Sequence, residues 1–291
     1  MQIQFEQMVN GGRLECAVDE GGSGADGLRV VLGRGRGCVL HGVASATTVL
    51  LPLRGRVQVS EGDGARTLTA GELLVVEAGQ RMQSIGRGNA LWIAMLAPAP
   101  IWTRLLGDAQ GLPLLPATHA ADRALRRSAI RLARMAAGDE ARDGAATLSV
   151  ASAFAAAVAD LQVRFEALID RCAGRTLAQR RNVFLRLQRV RNLMESSCHL
   201  DLDIADFARM ASYSPCHFIR AFSSVYGETP HAVLVEQRLD RARRLIDDSA
   251  LAITEVARAS GFENRCAFAR SFKRRFGVTA SDLRFARRAA A

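Results

Sequence analysis

The sequence predicts an α+β multidomain protein: a small N-terminal β barrel, a helical connector, and a C-terminal all-α domain holding two helix-turn-helix units joined by a long helix. Three observations predict it. Short apolar or alternating runs, separated by Gly-containing turns, fill residues 28–96. Helical spacing of three and four takes over from residue 121. Residues 204–229 recur, in order, at 253–279. The expected divisions are 1–118, 119–184 and 185–291, and 291 residues are enough to build more than one core.

In the first segment, Leu28–Leu32 and Thr48–Leu53 are apolar runs of strand length, and Arg56–Ser60 alternates as a half-buried strand does. Glu61-Gly62-Asp63-Gly64 turns the chain into Thr67–Thr69. Ala70-Gly71-Glu72 and Ala78-Gly79 bracket Leu73–Glu77, and Leu91–Leu96 is the last strand. Many short strands with Gly-rich turns fit a small barrel. Four of the seven prolines (Pro98, Pro100, Pro113 and Pro116) mark the way out of it. Helical stretches follow at 121–137, 146–173 and 176–197, with a loop at Gly138–Gly144. In the second of these, Val150, Phe154, Val158, Leu161, Phe165 and Leu168 form one apolar stripe. The stripe suits dimerisation or packing on the chain's own barrel equally well.

The net charge is +10, and it is unevenly placed. Residues 1–115 are neutral overall, whereas 116–187 and 188–291 each carry an excess of five positive charges. Basic charge gathered in one part of a chain suits a polyanion. Lys273 is the only lysine. The six cysteines, Cys16, Cys38, Cys172, Cys198, Cys216 and Cys266, show no CxxC or Cys/His spacing of a zinc site. Met1–Gly11 lacks the regions of a signal peptide, and apolar runs such as Ala153–Ala159 fall short of a membrane span. The expected setting is soluble, reducing and cytoplasmic, with free thiols and no membrane contact.

The repeat carries the functional expectation. At an offset of 49, Ile204, Ala208 and Arg209 match Ile253, Ala257 and Arg258. After a one-residue insertion the offset is 50. Cys216, Phe218, Arg220, Phe222, Gly227 and Thr229 then match Cys266, Phe268, Arg270, Phe272, Gly277 and Thr279, and Tyr226 answers to Phe276. In the first copy Asp203 caps one helix, Ser212-Tyr213 turns, and Ser214 with Pro215 starts the next. In the second, Gly261 turns and Asn264 caps. The second helix of such a unit is the one that enters a major groove. Phe218/Phe222 and Phe268/Phe272 lie four apart and belong to the core. The opposite faces present Cys216, His217, Ile219, Arg220 and Ser223, and Arg265, Cys266, Ala269, Arg270, Lys273 and Arg274. Arg220 and Arg270 suit guanine edges, and Lys273 and Arg274 suit phosphates. The plainer reading of these arginines is salt-bridged surface. The helix from His231 to Ile246 would hold two readers on one face of the duplex.

With Gly261-Phe262, Phe268, Phe272-Lys273 and Phe276-Gly277, and Arg238-Leu239, Ala242 and Leu245 in the linking helix, residues 185–288 resemble the AraC/XylS family of bacterial transcription regulators. The resemblance implies a DNA-binding transcriptional regulator, activator or repressor, whose partners are double-stranded DNA and RNA polymerase. Ser212 departs from it where Gly is common, and Ala280 where Pro is. The strands resemble the cupin barrel that many members use as a sensor. That implies an unknown small-molecule effector, with His41, Arg54, Arg56, Arg81 and Trp92 as lining candidates, and a homodimer formed through the helices at 121–173 by the Phe154/Leu161/Phe165 stripe. A cupin enzyme with a DNA-binding tail is the alternative, but a His₂-carboxylate site needs ligands where Met82 and Gln83 stand, so no metal, cofactor or catalytic residue is expected. A thiol switch at Cys216 and Cys266 is the other alternative, set against two small neutral residues that fit a groove.

Overall fold

The structure is a computed structural model that describes residues 1–15, 27–42, 45–61, 64–107, 114–140 and 143–290. Cys16, the Gly62-Asp63 centre of one expected turn, Pro113 and positions 141–142 of the expected loop lie outside these residues. The chain divides into two compact units, Met1–Ala167 and Leu168–Ala291.

The first unit is a nine-stranded sheet with helices. Its strands are β1 (Gln2–Val9), β2 (Arg13–Glu15), β3 (Gly27–Gly35), β4 (Val39–Gly42), β5 (Thr47–Glu61), β6 (Gly64–Thr69), β7 (Glu72–Val76), β8 (Met82–Ala97) and β9 (Ala117–Ala120). The path runs β1-β3-β8-β5-β7-β9, with β6 on β5 and the β2–β4 pair on β8. β1/β3 and β2/β4 are parallel, and the other pairs are antiparallel. Helices α1 (Ala99–Leu106), α2 (Arg123–Ala137) and α3 (Gly144–Gln162) complete the unit, and the division from the second unit falls inside α4 (Arg164–Asp170).

Both faces of the central strands are buried, which explains why runs such as Thr48–Leu53 read as apolar rather than alternating. Leu28, Val30 and Leu32 of β3, Val49 and Leu51 of β5, and Ile93 and Met95 of β8 join one core with Trp102, Leu125, Leu132, Val150, Phe154 and Val158 of the helices. The residues between them, Val31, Leu50, Trp92, Ala94 and Leu96, join Leu40, Val57, Val59 and Leu68 in a second core. The alternation of a pleated strand thus feeds two cores from one sheet. Trp102 Nε1 donates to the Thr47 carbonyl oxygen at 3.1 Å, so its polar edge is satisfied. Trp92, fully buried, stands opposite Gly33 in the β3–β8 register. A Cβ on Gly33 would lie 2.1 Å from the indole ring, so the ring takes the space that only glycine leaves.

Several expectations change. Thr48–Leu53 and Arg56–Ser60 are one strand, β5, with register shifts around Arg54 and a positive φ at Gly55. Leu91–Leu96 is the end of β8, which starts at Met82. β1, β2, β4 and β9 were not legible as strands. The expected connector 119–184 is not a body of its own. β9 hydrogen-bonds to β7 across the expected 118/119 boundary, and α2 and α3 bury their apolar faces in the first unit's core. The stripe on α3 follows the same rule: Val150, Phe154 and Val158 are buried within the unit and Leu161 packs against that core, so they do not form a free dimerisation face. As a whole helix, α3 is long and apolar enough to cross a membrane by length and composition, with a mean hydropathy of 1.5, which the short run Ala153–Ala159 did not reveal. Its buried side is the core just described.

His119, on β9, is 4% exposed. Its Nδ1 lies 3.1 Å from a guanidinium nitrogen of Arg164, and its ring lies against Phe165 at 5.6 Å. Burial, then the Arg164 charge, lowers its pKa to about 4. The unfolded chain therefore binds a proton near pH 6.5 that the folded chain refuses until about pH 4. Stability is fullest above pH 6.5 and falls by up to roughly 3 kcal/mol between these values. In urea titrations at pH 7 and pH 4.5, His119→Gln should show a smaller loss than the parent, and equal losses would contradict this. Gly33→Ala should cost about 1–3 kcal/mol through overpacking, read as a lower urea midpoint with red-shifted tryptophan emission. An unchanged midpoint would mean that Trp92 does not rest on Gly33.

Candidate nucleic-acid interface

The second unit contains α5 (Leu177–Ser197), α6 (Ile204–Met210), α7 (Pro215–Tyr226), α8 (Pro230–Asp248), α9 (Ile253–Ala259), α10 (Arg265–Phe276) and α11 (Ala280–Ala290). Local chemistry sets each start. Asp203 Oδ1 accepts from Asp206 N at 2.8 Å while Asp206 Oδ2 accepts from Asp203 N at 3.0 Å, a reciprocal cap on α6. Glu255 accepts from Ala252 N at 2.7 Å at the start of α9. Asn264 Oδ1 accepts from Cys266 N and Ala267 N, at 2.9 and 3.0 Å, and caps α10. Ser214 holds the N-cap place of α7, yet its side chain makes no capping bond, and Pro215 at N1 pre-sets the turn instead. Gly227 and Gly277 end α7 and α10 with positive φ.

The repeat is one of packing as well as sequence. In α7, Phe218, Phe222 and Tyr226 stack down one side with centroids 5.6 and 4.5 Å apart. In α10, Phe268, Phe272 and Phe276 do the same at 5.4 and 4.6 Å. Arg191 of α5 lies over Tyr226 at 4.6 Å, and Arg243 of α8 lies over Phe276 at 5.2 Å. Thus α5 stands to the first helix-turn-helix repeat as α8 stands to the second, and the expected boundary at 185 cuts through α5. The two turns match also: Ser212 has φ of 60° and Gly261 has φ of 87°. Arg238 Nε donates to the Cys198 carbonyl oxygen at 2.7 Å, against Gly261, where a Cβ would come within 2.8 Å of both atoms. Beside them lies a cleft of about 540 Å³ lined among others by His199, Arg258, Glu263 and Arg265.

With the phenylalanines buried, the opposite faces are fixed outward. Cys216, His217, Ile219 and Arg220 of α7 are exposed together, as are Arg265, Cys266, Ala269, Arg270, Lys273 and Arg274 of α10. Ser223 departs from the expected face. It is half buried with its hydroxyl enclosed, and Ser224 is the exposed neighbour. His217 meets the ring of Tyr213 edge-on at 4.7 Å, and Arg186 lies over that ring and donates to its hydroxyl at 3.2 Å. Sequence reading missed this stack, since Arg186 lies 31 positions before His217. Arg275 pairs with Glu236 at 3.0 Å, which takes it out of the free basic set.

The expected lining residues of the first unit are not brought together. Trp92 is in the inner core, and Arg54, Arg56 and Arg81 are exposed. Arg54 donates to Asn89 Oδ1 at 3.2 Å, and His41 Nε2 lies 3.5 Å from Gln83 Nε2. Arg54 and Arg56, two apart, would share the face of Leu50 in a regular strand, and the register shifts around Arg54 break that alternation, so that Val57 and Val59 join the Leu50 core instead. Among the described residues no group of three His, Cys, Asp or Glu side chains is placed to hold a metal ion.

Residues 207–286 match the family model described as a helix-turn-helix domain. The C-terminal unit carries an AraC-type helix-turn-helix domain. Over 98 residues the chain is 33% identical to the HTH-type transcriptional regulator ExsA of Pseudomonas aeruginosa, covering 34% of this chain and 35% of that protein. Over 91 residues it is 40% identical to the HTH-type transcriptional regulator GlxA of Rhizobium meliloti, covering 31% and 28%. Among solved structures, the DNA-binding domain of AdpA in complex with a target DNA is 32% identical, with a TM-score of 0.34, covering 36% of this chain and 94% of that one. The chain spans about a third of the length of the curated relatives it matches.

The turns of the AraC-type domain offer a paired check. A serine in left-handed backbone is strained where glycine is not. Ser212→Gly should therefore stabilise the domain by up to about 1 kcal/mol, after glycine's extra unfolded-chain entropy is counted. Gly261→Ala should destabilise it, since strain and the approach to Cys198 and Arg238 add. Opposite Tm shifts for the two variants are expected, and shifts of the same sign would refute the pairing of the turns.

Proposed function

We propose that this protein is a sequence-specific transcriptional regulator whose two exposed recognition faces, on α7 and α10, read two successive major-groove segments of double-stranded DNA. The observation that carries the reading is the equivalence of those faces. Cys216/Cys266, Ile219/Ala269 and Arg220/Arg270 are matched pairs, all exposed, each backed by the same phenylalanine stack. Helix α8, with 19 residues, is about 28 Å long, close to the roughly 34 Å between successive turns of one groove.

The two faces differ in chemistry. α10 offers Arg265, Arg270, Lys273 and Arg274, suited to guanine edges and phosphates. α7 offers one arginine beside Cys216, His217 and Ile219, suited to thymine methyls and groove shape. The names of ExsA and GlxA as transcriptional regulators support the assignment. In this reading the first unit senses a small molecule, the protein acts as a homodimer, and RNA polymerase is its protein partner.

Selection of bound fragments from random duplex by the full-length protein tests the reading. The parent should select two conserved blocks about one helical turn apart. Arg220→Ala should blur one block and Arg270→Ala the other, each by about 1–3 kcal/mol of base discrimination. Uniform weakening without change of motif would assign both arginines to phosphates. No motif for the parent would refute the reading.

A further inference from the structure

The outer face of α2, in the first unit, carries five arginines. Arg123, Arg126, Arg127, Arg131 and Arg134 are all exposed, and the helix contains no acidic residue. Its other face is fixed in the core through Leu125, Ala129, Leu132 and Ala133, so the basic face cannot turn away from solvent. Arg126 leans on the turn before β7, where a Cβ on Gly71 would reach its guanidinium. The remaining four make no ion pair or side-chain hydrogen bond among the described residues.

This arrangement works against the helix that bears it. Arg123/Arg127 and Arg127/Arg131 are like charges four apart, and Arg131/Arg134 are three apart, so each pair repels. Arg123, Arg126 and Arg127 also stand near the positive end of the helix dipole. Packing does not need these charges, whereas an anionic partner would relieve them. The row is straight and about 16 Å long, with a cation at nearly every turn. A small anion needs converging donors, which a straight row does not offer. A second copy meeting this face across a two-fold axis would bring arginines against arginines. A duplex, with one negative charge per roughly 1.7 Å of axis, matches an extended row. The same chain carries the AraC-type domain, so once that domain is seated the flanking duplex is at high local concentration.

We propose that α2 is a second, sequence-independent DNA contact, in which Arg123, Arg127, Arg131 and Arg134 engage phosphates beside the segment read by α7 and α10. The proposal rests on the reading of the C-terminal unit as DNA-binding and adds a role for the first unit.

The test measures binding of full-length protein against salt on a selected duplex, bare and extended by about 20 base pairs on each side, and on scrambled duplexes of the same lengths. Each phosphate contact adds about 0.9 to the slope of log affinity on log salt. With four such contacts the parent should show a slope steeper by about three to four on the extended duplex. Arg127→Gln/Arg131→Gln/Arg134→Gln, which leaves Arg123, should lose about three quarters of that increment, keep the parent's affinity for the bare duplex, and melt at the same or a higher temperature. Equal slopes on both lengths for the parent, or a variant that keeps the increment, would overturn the proposal. So would a lower melting temperature, which would give the arginines partners within the protein. Sedimentation with phosphatidylglycerol vesicles is the remaining arm: vesicle binding lost in the variant, with DNA slopes unchanged, would make α2 a membrane contact instead. Loss of sequence preference with the length increment intact would strike the reading of α7 and α10 alone.

Discussion

Two phenylalanines four residues apart, on the inner side of a short helix, set the geometry of the C-terminal unit. Phe218 with Phe222, and Phe268 with Phe272, are fully buried, and each pair extends through one more aromatic ring. Burial of aromatic side chains this size is worth several kcal/mol, far more than any surface pair nearby. Rotation of α7 or α10 about its axis would expose that area, so rotation is closed to them. The outward face is then a consequence. Cys216, Ile219 and Arg220 are where they are because the residues between them cannot be anywhere else.

The same constraint leaves the chemistry of each outer face free. α10 presents four exposed cations on its face, while α7 presents one, Arg220, whose Nε donates to the Cys216 carbonyl oxygen, with His217 held by Tyr213 and Arg186. The scaffold is duplicated, but the surfaces on it have diverged. A cationic face draws much of its affinity from phosphates and responds steeply to salt, whereas an apolar face depends on fit within the groove. In the proposed reading, two unlike readers on one scaffold would distinguish the two halves of a target, and so give the protein a direction along the duplex.

The first unit solves a different problem. Its sheet has two apolar faces, and each must be covered. One is closed by α1, α2 and α3, and the other by the sheet's own inner side chains around Trp92. Covering the outer face with α2 and α3 draws these helices into the unit and uses the α3 stripe for packing. What α2 then shows to solvent is decided by which of its residues the core does not need.

Much of the C-terminal unit was legible in the residues. The repeat at offsets of 49 and 50, the caps at Asp203 and Asn264, the turn at Gly261 and the outward faces of α7 and α10 all follow from local spacing, because helix geometry is set within a few residues. Ser223 was misplaced because a place on a helix wheel does not show how closely the next segment approaches. The first unit was less legible, since pairing of strands depends on residues far apart in the chain. The merging of two expected strands into β5, the bulge that leaves Arg54 and Arg56 outside, and the seat of Trp92 on Gly33 all depend on register. So does the enclosure of His119 between β9 and the start of α4. The sequence by itself determined the elements whose stabilising contacts lie within a turn or two. Only the tertiary structure decided which faces stayed open, because burial is shared between segments that the order of residues does not bring together.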